Sequence, residues 1–139
     1  MDVRTNILQK YISAFGEAKL IKAIDKAKNK KSPGSIAQIT NPVVRFLANT
    51  TYEKGGKLFT KQNTGVPPED FGYFRLVAGV LDDLKDELKA NKTYLAQMRD
   101  KILDSKQGPM LSAMNEILIA GYYKHLGIKV ELNSSAQVG

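Results

Sequence analysis

The sequence predicts a mainly α fold, a single bundle of five or six helices with a small β element at its C-terminus. Apolar residues recur at intervals of three and four along most of the 139 residues, which is the spacing of one helix face. Asn, Pro and Gly residues stand where these runs begin or end. We expect one helical domain over residues 1–132 and a flexible tail over 133–139, because a chain of this length does not build two independent cores.

The first half of the chain predicts three helices and a long loop. The first two helices cover residues 2–13 and about 17–29, and a turn is expected at 32–35. Asn41 and Pro42 predict the start of a short third helix, because Asn caps a helix and Pro is tolerated at its first position. The polar, glycine-rich residues 53–67 predict a mobile loop that contains a short strand at 57–60.

The second half predicts a long helix over 69–90, which we expect to be the central packing element. Its apolar residues are spaced by three and four and define one seam: Phe74, Val77, Leu81, Leu84 and Leu88.

Two further helices are expected after that one. Asn91 separates them from the long helix, and the first of them is marked by Leu95, Met98 and Ile102. The last helix ends near His125, with Gly127 as its cap. One face of it is marked by Leu111, Met114, Leu118 and Tyr122.

A strand is predicted after the last helix. Ile128, Val130 and Leu132 alternate with charged residues, which is the pattern of a half-buried strand.

Positive charge is concentrated in the first half of the chain. Residues 1–61 contain 12 basic and 4 acidic side chains, whereas residues 62–139 contain 9 and 10, and the net charge is +7. A basic patch attracts phosphate backbones by neutralising their charge and releasing counterions. We therefore expect a non-catalytic binding or assembly module that contacts nucleic acid or another acidic partner. The predicted contact residues are Lys22, Lys26, Lys28, Lys30 and Lys31, with Lys54 and Lys57 in support.

The same lysines have a simpler interpretation, in which those near the end of the second helix only complement its dipole. A different hypothesis makes the protein a protein–protein interaction module or a subunit of a homo-oligomer. Its contact residues would be Tyr122, Tyr123, Lys124 and His125, together with the C-terminal strand. Alternatively, one of the two tyrosine rings belongs to the core.

Little in the sequence favours an enzyme. The chain has no Cys and one His, which excludes thiol catalysis and Cys-based zinc sites. Asp82, Asp83, Asp86 and Glu87 are of the type that binds Mg²⁺, but they also suit a solvated helix face with the pairs Asp82–Lys85 and Asp86–Lys89. We expect no catalytic residue, metal site or cofactor. Without an apolar run of 18 residues or a secretory signal, we expect a soluble, cytoplasmic protein without a membrane span.

The segment from Asn115 to Leu132, with the sequence NEILIAGYYKHLGIKVEL, resembles the opening helix and strand of PD-(D/E)XK nuclease domains. In that family a helix that carries a Glu ends at a Gly and runs into the first core strand, and Glu116 matches the helix Glu. The catalytic Asp and the Glu-x-Lys pair of the family lie on later strands, which this chain does not contain before Gly139. For a complete protein, the resemblance implies no nuclease activity; for the N-terminal part of a larger nuclease-like protein, it implies that the activity lies outside this chain.

Three short strings are similar, in order, to strings of phycobiliproteins, the globin-like helical antenna subunits. They are Ile36-Ala37-Gln38, Gly56-Lys57-Leu58-Phe59 and Tyr73-Phe74-Arg75-Leu76. That family attaches its bilin through Cys, which is absent here, so this resemblance implies a pigment-free relative.

Overall fold

Helices dominate the fold, as predicted, in a computed structural model that describes residues 2–28, 39–62 and 65–133. These residues form seven helices and one antiparallel hairpin. Their bounds are α1 Val3–Phe15, α2 Glu17–Lys28, α3 Pro42–Thr50, β1 Thr51–Lys54, β2 Lys57–Thr60, α4 Pro68–Asp83, α5 Lys85–Ala90, α6 Lys92–Ile102 and α7 Gln107–His125. The predicted turn at 32–35, Lys30, Lys31, the string 36–38 and the tail beyond Asn133 lie outside the described residues.

The predicted helix boundaries at Gly16 and Asn41 are confirmed, and both residues form capping hydrogen bonds. Gly16 ends α1 with a φ of 88°, a conformation that favours glycine, and its N–H donates to the carbonyl of Ile12. The Asn41 Oδ1 accepts from the N–H groups of Val43 and Val44 at 2.9 and 3.3 Å. Local capping chemistry therefore defines where these helices begin and end.

An aromatic stack forms the centre of the core, where α4 packs against α1, α3 and α7. The ring centroids of Tyr11 and Phe74 are 4.5 Å apart, and so are those of Phe46 and Phe74. The Tyr11 hydroxyl donates to the Phe74 carbonyl at 2.7 Å, and burial raises the pKa of Tyr11. One continuous cluster of buried apolar residues extends from Ile7 to Leu132.

A buried ion pair joins α3 to the first turn of α4. The Asp70 carboxylate is fully buried and accepts from Arg45 Nε at 2.8 Å and from Arg45 Nη2 at 2.7 Å. The Arg45 Nη1 also donates to the carbonyl of Ile39. The hydrogen bond to Asp70 is the main cause of a raised pKa of Arg45, so the guanidinium is charged in the folded protein.

The predicted helix over 69–90 is two helices, because the chain departs from helical geometry at Leu84, where φ is −100° and ψ is 14°. The predicted seam is nevertheless buried from Phe74 to Leu88. The helical bonds from Leu84 N–H to Val80 and from Leu88 N–H to Leu84 are kept, so the side-chain pattern continues across the break. Neither Gly nor Pro lies at the break, and the spacing of apolar residues continues across it. The sequence pattern therefore did not reveal the break.

The predicted loop over 53–67 is wrong in its first part, which belongs to the hairpin. The predicted strand at 57–60 is β2, and it pairs with β1 in the register Thr51↔Thr60 to Lys54↔Lys57. Gly55 and Gly56 form the turn with φ values of 61° and 78°, as the two-residue turns of hairpins require. A Gly-Gly pair between two strand-like runs is a hairpin signal, and it explains why a loop was the wrong prediction for these residues.

The predicted C-terminal strand is wrong: residues 128–133 have no regular secondary structure. Leu132 is buried, as the alternation predicted, but it does not belong to a β-sheet. The Asn91 side chain donates to the Leu132 carbonyl at 2.7 Å, and residues 129–133 border a groove beside α5. The described strands pair only with each other. Of the three alternating residues, Leu132 is buried and Val130 half-buried, but Ile128 is exposed, so the alternation matches burial only towards its end.

Candidate functional site

The outer face of the hairpin carries a stacked pair of exposed aromatic rings. The register sets Tyr52 opposite Phe59, with the ring centroids 5.4 Å apart and the planes 25° apart. These side chains remain 46% and 41% exposed, whereas Leu58, on the opposite face, is buried. The pair therefore presents flat apolar surface to solvent.

Two lysines continue the same face at the turn end of the hairpin. Lys54 lies directly opposite Lys57, and side chains two residues apart along a strand share a face, so both flank the aromatic pair. Both lysines are exposed, and neither forms an ion pair with another of the described residues. Like charges directly opposite each other destabilise a hairpin, so this arrangement is unfavourable until an anion neutralises it.

The inner face of the hairpin is anchored to three helices. The Leu58 N–H donates to Glu17 Oε2 of α2 at 2.7 Å, and the Thr60 and Thr5 hydroxyls are 2.8 Å apart. The Thr51 hydroxyl donates to the Leu47 carbonyl of α3 at 2.6 Å. These contacts hold the outer face in a fixed position, which reduces the entropy lost when a ligand binds. We call Tyr52, Lys54, Lys57 and Phe59 the hairpin face.

The other predicted lysines are divided between two places. Lys22 and Lys26 line a groove of about 410 Å³ between α2 and the end of α6. Lys19 and Arg99 also line it, but so do Asp100 and Asp104, which reduce its positive charge. Lys28 borders Tyr52 and Leu58 at the base of the hairpin. The structure therefore places Lys28, Lys54 and Lys57 near the aromatic pair, and Lys22 and Lys26 in the groove.

The predicted interaction residues of α7 differ in their environments. Tyr122 and Tyr123 are both exposed, so neither ring belongs to the core. His125 is exposed as well. Lys124 is engaged, because its Nζ donates to Glu87 Oε1 at 2.9 Å and to the Asp83 carbonyl at 2.7 Å.

The face of α7 predicted from the sequence coincides with its buried face only at Met114. Tyr122 is exposed, and Leu111 and Leu118 are only half-buried. Buried on this helix are Met110, Ala113, Met114 and Ile117. A helix with apolar residues on all sides does not reveal from its sequence which face packs inward.

The acidic residues of α4 and α5 form other ion pairs than predicted. Lys10 pairs with Asp82 at 3.7 Å, and Lys124 pairs with Glu87. Within residues 2–28, 39–62 and 65–133, no three metal-ligating side chains come together. In the same ranges, no helix is long and apolar enough to cross a membrane.

Comparisons with protein families, curated proteins and solved structures give no match to this chain. The resemblances to nuclease domains and to phycobiliproteins therefore stay predictions. In the structure, Glu116 lies on α7 and accepts a hydrogen bond from the Tyr94 hydroxyl. Burial, and then this bond, raise the pKa of Tyr94.

Proposed function

We propose that the protein is a non-catalytic binding module for single-stranded nucleic acid, and that the hairpin face is its contact surface. The observation that carries this proposal is the stacked, exposed pair Tyr52 and Phe59 beside two opposed lysines. Unpaired bases stack on exposed aromatic rings, and lysines neutralise the neighbouring phosphates.

The chemistry of the hairpin face suits both parts of a nucleotide. Each stacked base is worth about 1–3 kcal/mol by alanine substitution, and stacking tolerates any sequence because every base has a flat apolar face. A phosphate near Lys54 and Lys57 also relieves the repulsion between them. The hairpin face therefore predicts binding with little sequence preference and a strong dependence on salt.

The remaining predicted lysines support the same function from a distance. Lys22 and Lys26 lie on α2, which packs against β2, and they add to the positive potential of this half of the molecule. Such a potential raises the rate at which a polyanion arrives. Lys22 and Lys26 therefore contribute electrostatic attraction to the nucleic acid, and they do not stack on its bases.

Fluorescence anisotropy with a labelled oligothymidylate, at several salt concentrations, tests the proposal. For Lys54→Ala/Lys57→Ala we expect weaker binding and a salt slope smaller by about 1.4, because each phosphate contact on a single strand contributes about 0.7. The matched control is Lys85→Ala/Lys89→Ala, which removes the same charge from the exposed side of α5 and should keep the slope.

Substitution of the rings separates stacking from charge. We expect Tyr52→Ala to weaken binding about 5- to 150-fold without changing the salt slope, because the ring contacts bases and not phosphates. No binding at low salt would contradict the proposal, as would tighter binding to a duplex than to the single strand.

A further inference from the structure

A second exposed apolar surface lies on α7. Its residues are spaced by three, one and three, so they share one face of α7, with the last of them at the C-cap. They are Ile119, Tyr122, Tyr123 and Leu126. Each of them is between 47% and 61% exposed. We call these four residues the α7 stripe.

The α7 stripe lies opposite the face that α7 buries. Met110, Ala113, Met114 and Ile117 are packed inward, and α7 contacts α4 and α6. A helix that is apolar on both sides is normally covered by protein on both sides. No part of the described chain covers the stripe, which leaves room for a partner.

We propose that a second copy of this chain covers the α7 stripe, with the two α7 helices antiparallel across a two-fold axis. In this arrangement Ile119 of each copy lies near Leu126 of the other, and the tyrosines of both copies meet at the axis. Tyrosines buried at the centre of an interface contribute a large share of binding energy.

The distribution of charge favours a second copy despite its net charge of +7. The stripe belongs to residues 62–139, which contain 9 basic and 10 acidic side chains. α7 packs on α4 and α6, whereas α2, with its lysines, packs on α1, α3 and β2. Two copies that meet at α7 therefore approach through the half of the chain whose net charge is close to zero.

The charges at the two ends of the stripe favour the antiparallel orientation. The acidic Glu116, which also accepts from the Tyr94 hydroxyl, lies one turn before Ile119, and Lys129, which pairs with the exposed Glu131, lies at the other end. Antiparallel packing brings Glu116 of one copy towards this basic end of the other. Parallel packing would set the two Glu116 side chains against each other, which is unfavourable.

The area of the stripe predicts a weak dimer. Half-exposed Tyr, Leu and Ile side chains each offer on the order of 100 Å², so with Ile128 each copy buries on the order of 500 Å². Two copies together bury on the order of 1,000 Å², which is the lower limit for a specific interface. We expect dissociation at about micromolar concentration or above.

Sedimentation velocity of the pure chain, over a range of concentrations and without nucleic acid, tests this proposal. We expect a reversible dimer, and at least a tenfold higher dissociation constant for Tyr122→Ser/Leu126→Ser. Tyr52→Ser/Phe59→Ser is the control, since it removes two exposed apolar side chains from a different surface and should keep the dimer. Thermal melting of each variant confirms that it folds.

A charge exchange tests the orientation. Glu116→Lys should weaken the dimer, and adding Lys129→Glu to that variant should restore it. A chain that is monomeric at all concentrations, or a dimer that is insensitive to the Tyr122→Ser/Leu126→Ser variant, would overturn the proposal. The proposal would also be overturned if the α7 stripe bound a different protein and did not bind a second copy of this chain. Tighter association of the Glu116→Lys variant would overturn the antiparallel arrangement.

Discussion

Asp70 shows how a single residue joins two elements. Its position at the start of a helix suits the helix dipole, but its carboxylate is also fully buried and bound twice by Arg45. A buried charge is tolerated only when it is paired and hydrogen-bonded. The pair thus fixes α3 against α4, next to the aromatic stack.

We expect Asp70→Asn to lower the free energy of unfolding by about 2–4 kcal/mol, because Arg45 loses its counter-charge in a partly buried site. Chemical denaturation measures the loss. The control is Glu69→Gln, an exposed neighbour that should change stability by less than about 0.5 kcal/mol. Equal effects of the two substitutions would contradict a structural role of the pair.

Two leucines of α4 give a second test of the core. Leu81 is 1% exposed and Leu76 is 44% exposed, on the same helix. Leu81→Ala should cost about 2–5 kcal/mol of stability because it leaves a cavity, whereas Leu76→Ala should cost less than about 0.5 kcal/mol. If Leu76→Ala were the more damaging substitution in thermal or urea melts, the packing of α4 described above would be wrong.

At the scale of elements, the end of α7 is tied to α5 by Glu87 and Lys124. Burial raises the pKa of Glu87, but the hydrogen bond and the charge of Lys124, together with a backbone bond, outweigh it and lower that pKa below 4.5. A carboxylate with a lowered pKa stabilises the folded state at neutral pH, and that contribution is lost as the pH falls through the folded pKa.

Glu87→Gln should therefore destabilise the protein more at pH 7 than at about pH 3, because a growing fraction of wild-type Glu87 is protonated as the pH falls. Urea denaturation at the two pH values measures both differences. Glu131→Gln is the control, because Glu131 and its partner Lys129 are both largely exposed and should contribute little at either pH. A loss of stability by Glu87→Gln that is the same at both pH values would contradict the ion pair.

The elements that were predictable from the sequence are those with a local chemical signal. Asn41, Asn91 and Gly127 all mark helix ends, because their capping bonds involve only neighbouring residues. The strand predicted from Ile128 failed for the opposite reason. Its alternation specifies no partner strand, and of the alternating residues only Leu132 is buried, whereas Ile128 is exposed.

The candidate site was only partly predictable. Lys54 and Lys57 stand out as charges, but their position opposite each other depends on the register that Gly55 and Gly56 impose. Tyr52 and Phe59 form a stacked pair only because the same register places them opposite each other. On α7, the sequence left open whether one of the two tyrosine rings belongs to the core, and only the packing on α4 and α6 shows which face is buried.

At the scale of the whole molecule, the two proposed surfaces lie on different elements. The hairpin face is anchored to α1, α2 and α3, in the half of the chain with excess positive charge. The α7 stripe belongs to the nearly neutral half. Dimerisation through α7 would leave both hairpins available, and two linked sites bind a long strand more tightly than either site alone.

Photocrosslinking tests the central claim most directly. The complex with a single-stranded oligonucleotide is irradiated, and the crosslinked side chain is identified by mass spectrometry. A base that stacks on the hairpin face predicts crosslinks to Tyr52 or Phe59, and their loss in Tyr52→Ala/Phe59→Ala. Crosslinks confined to Tyr122 and Tyr123, or an unchanged pattern in that variant, would contradict the assignment of nucleic-acid binding to the hairpin.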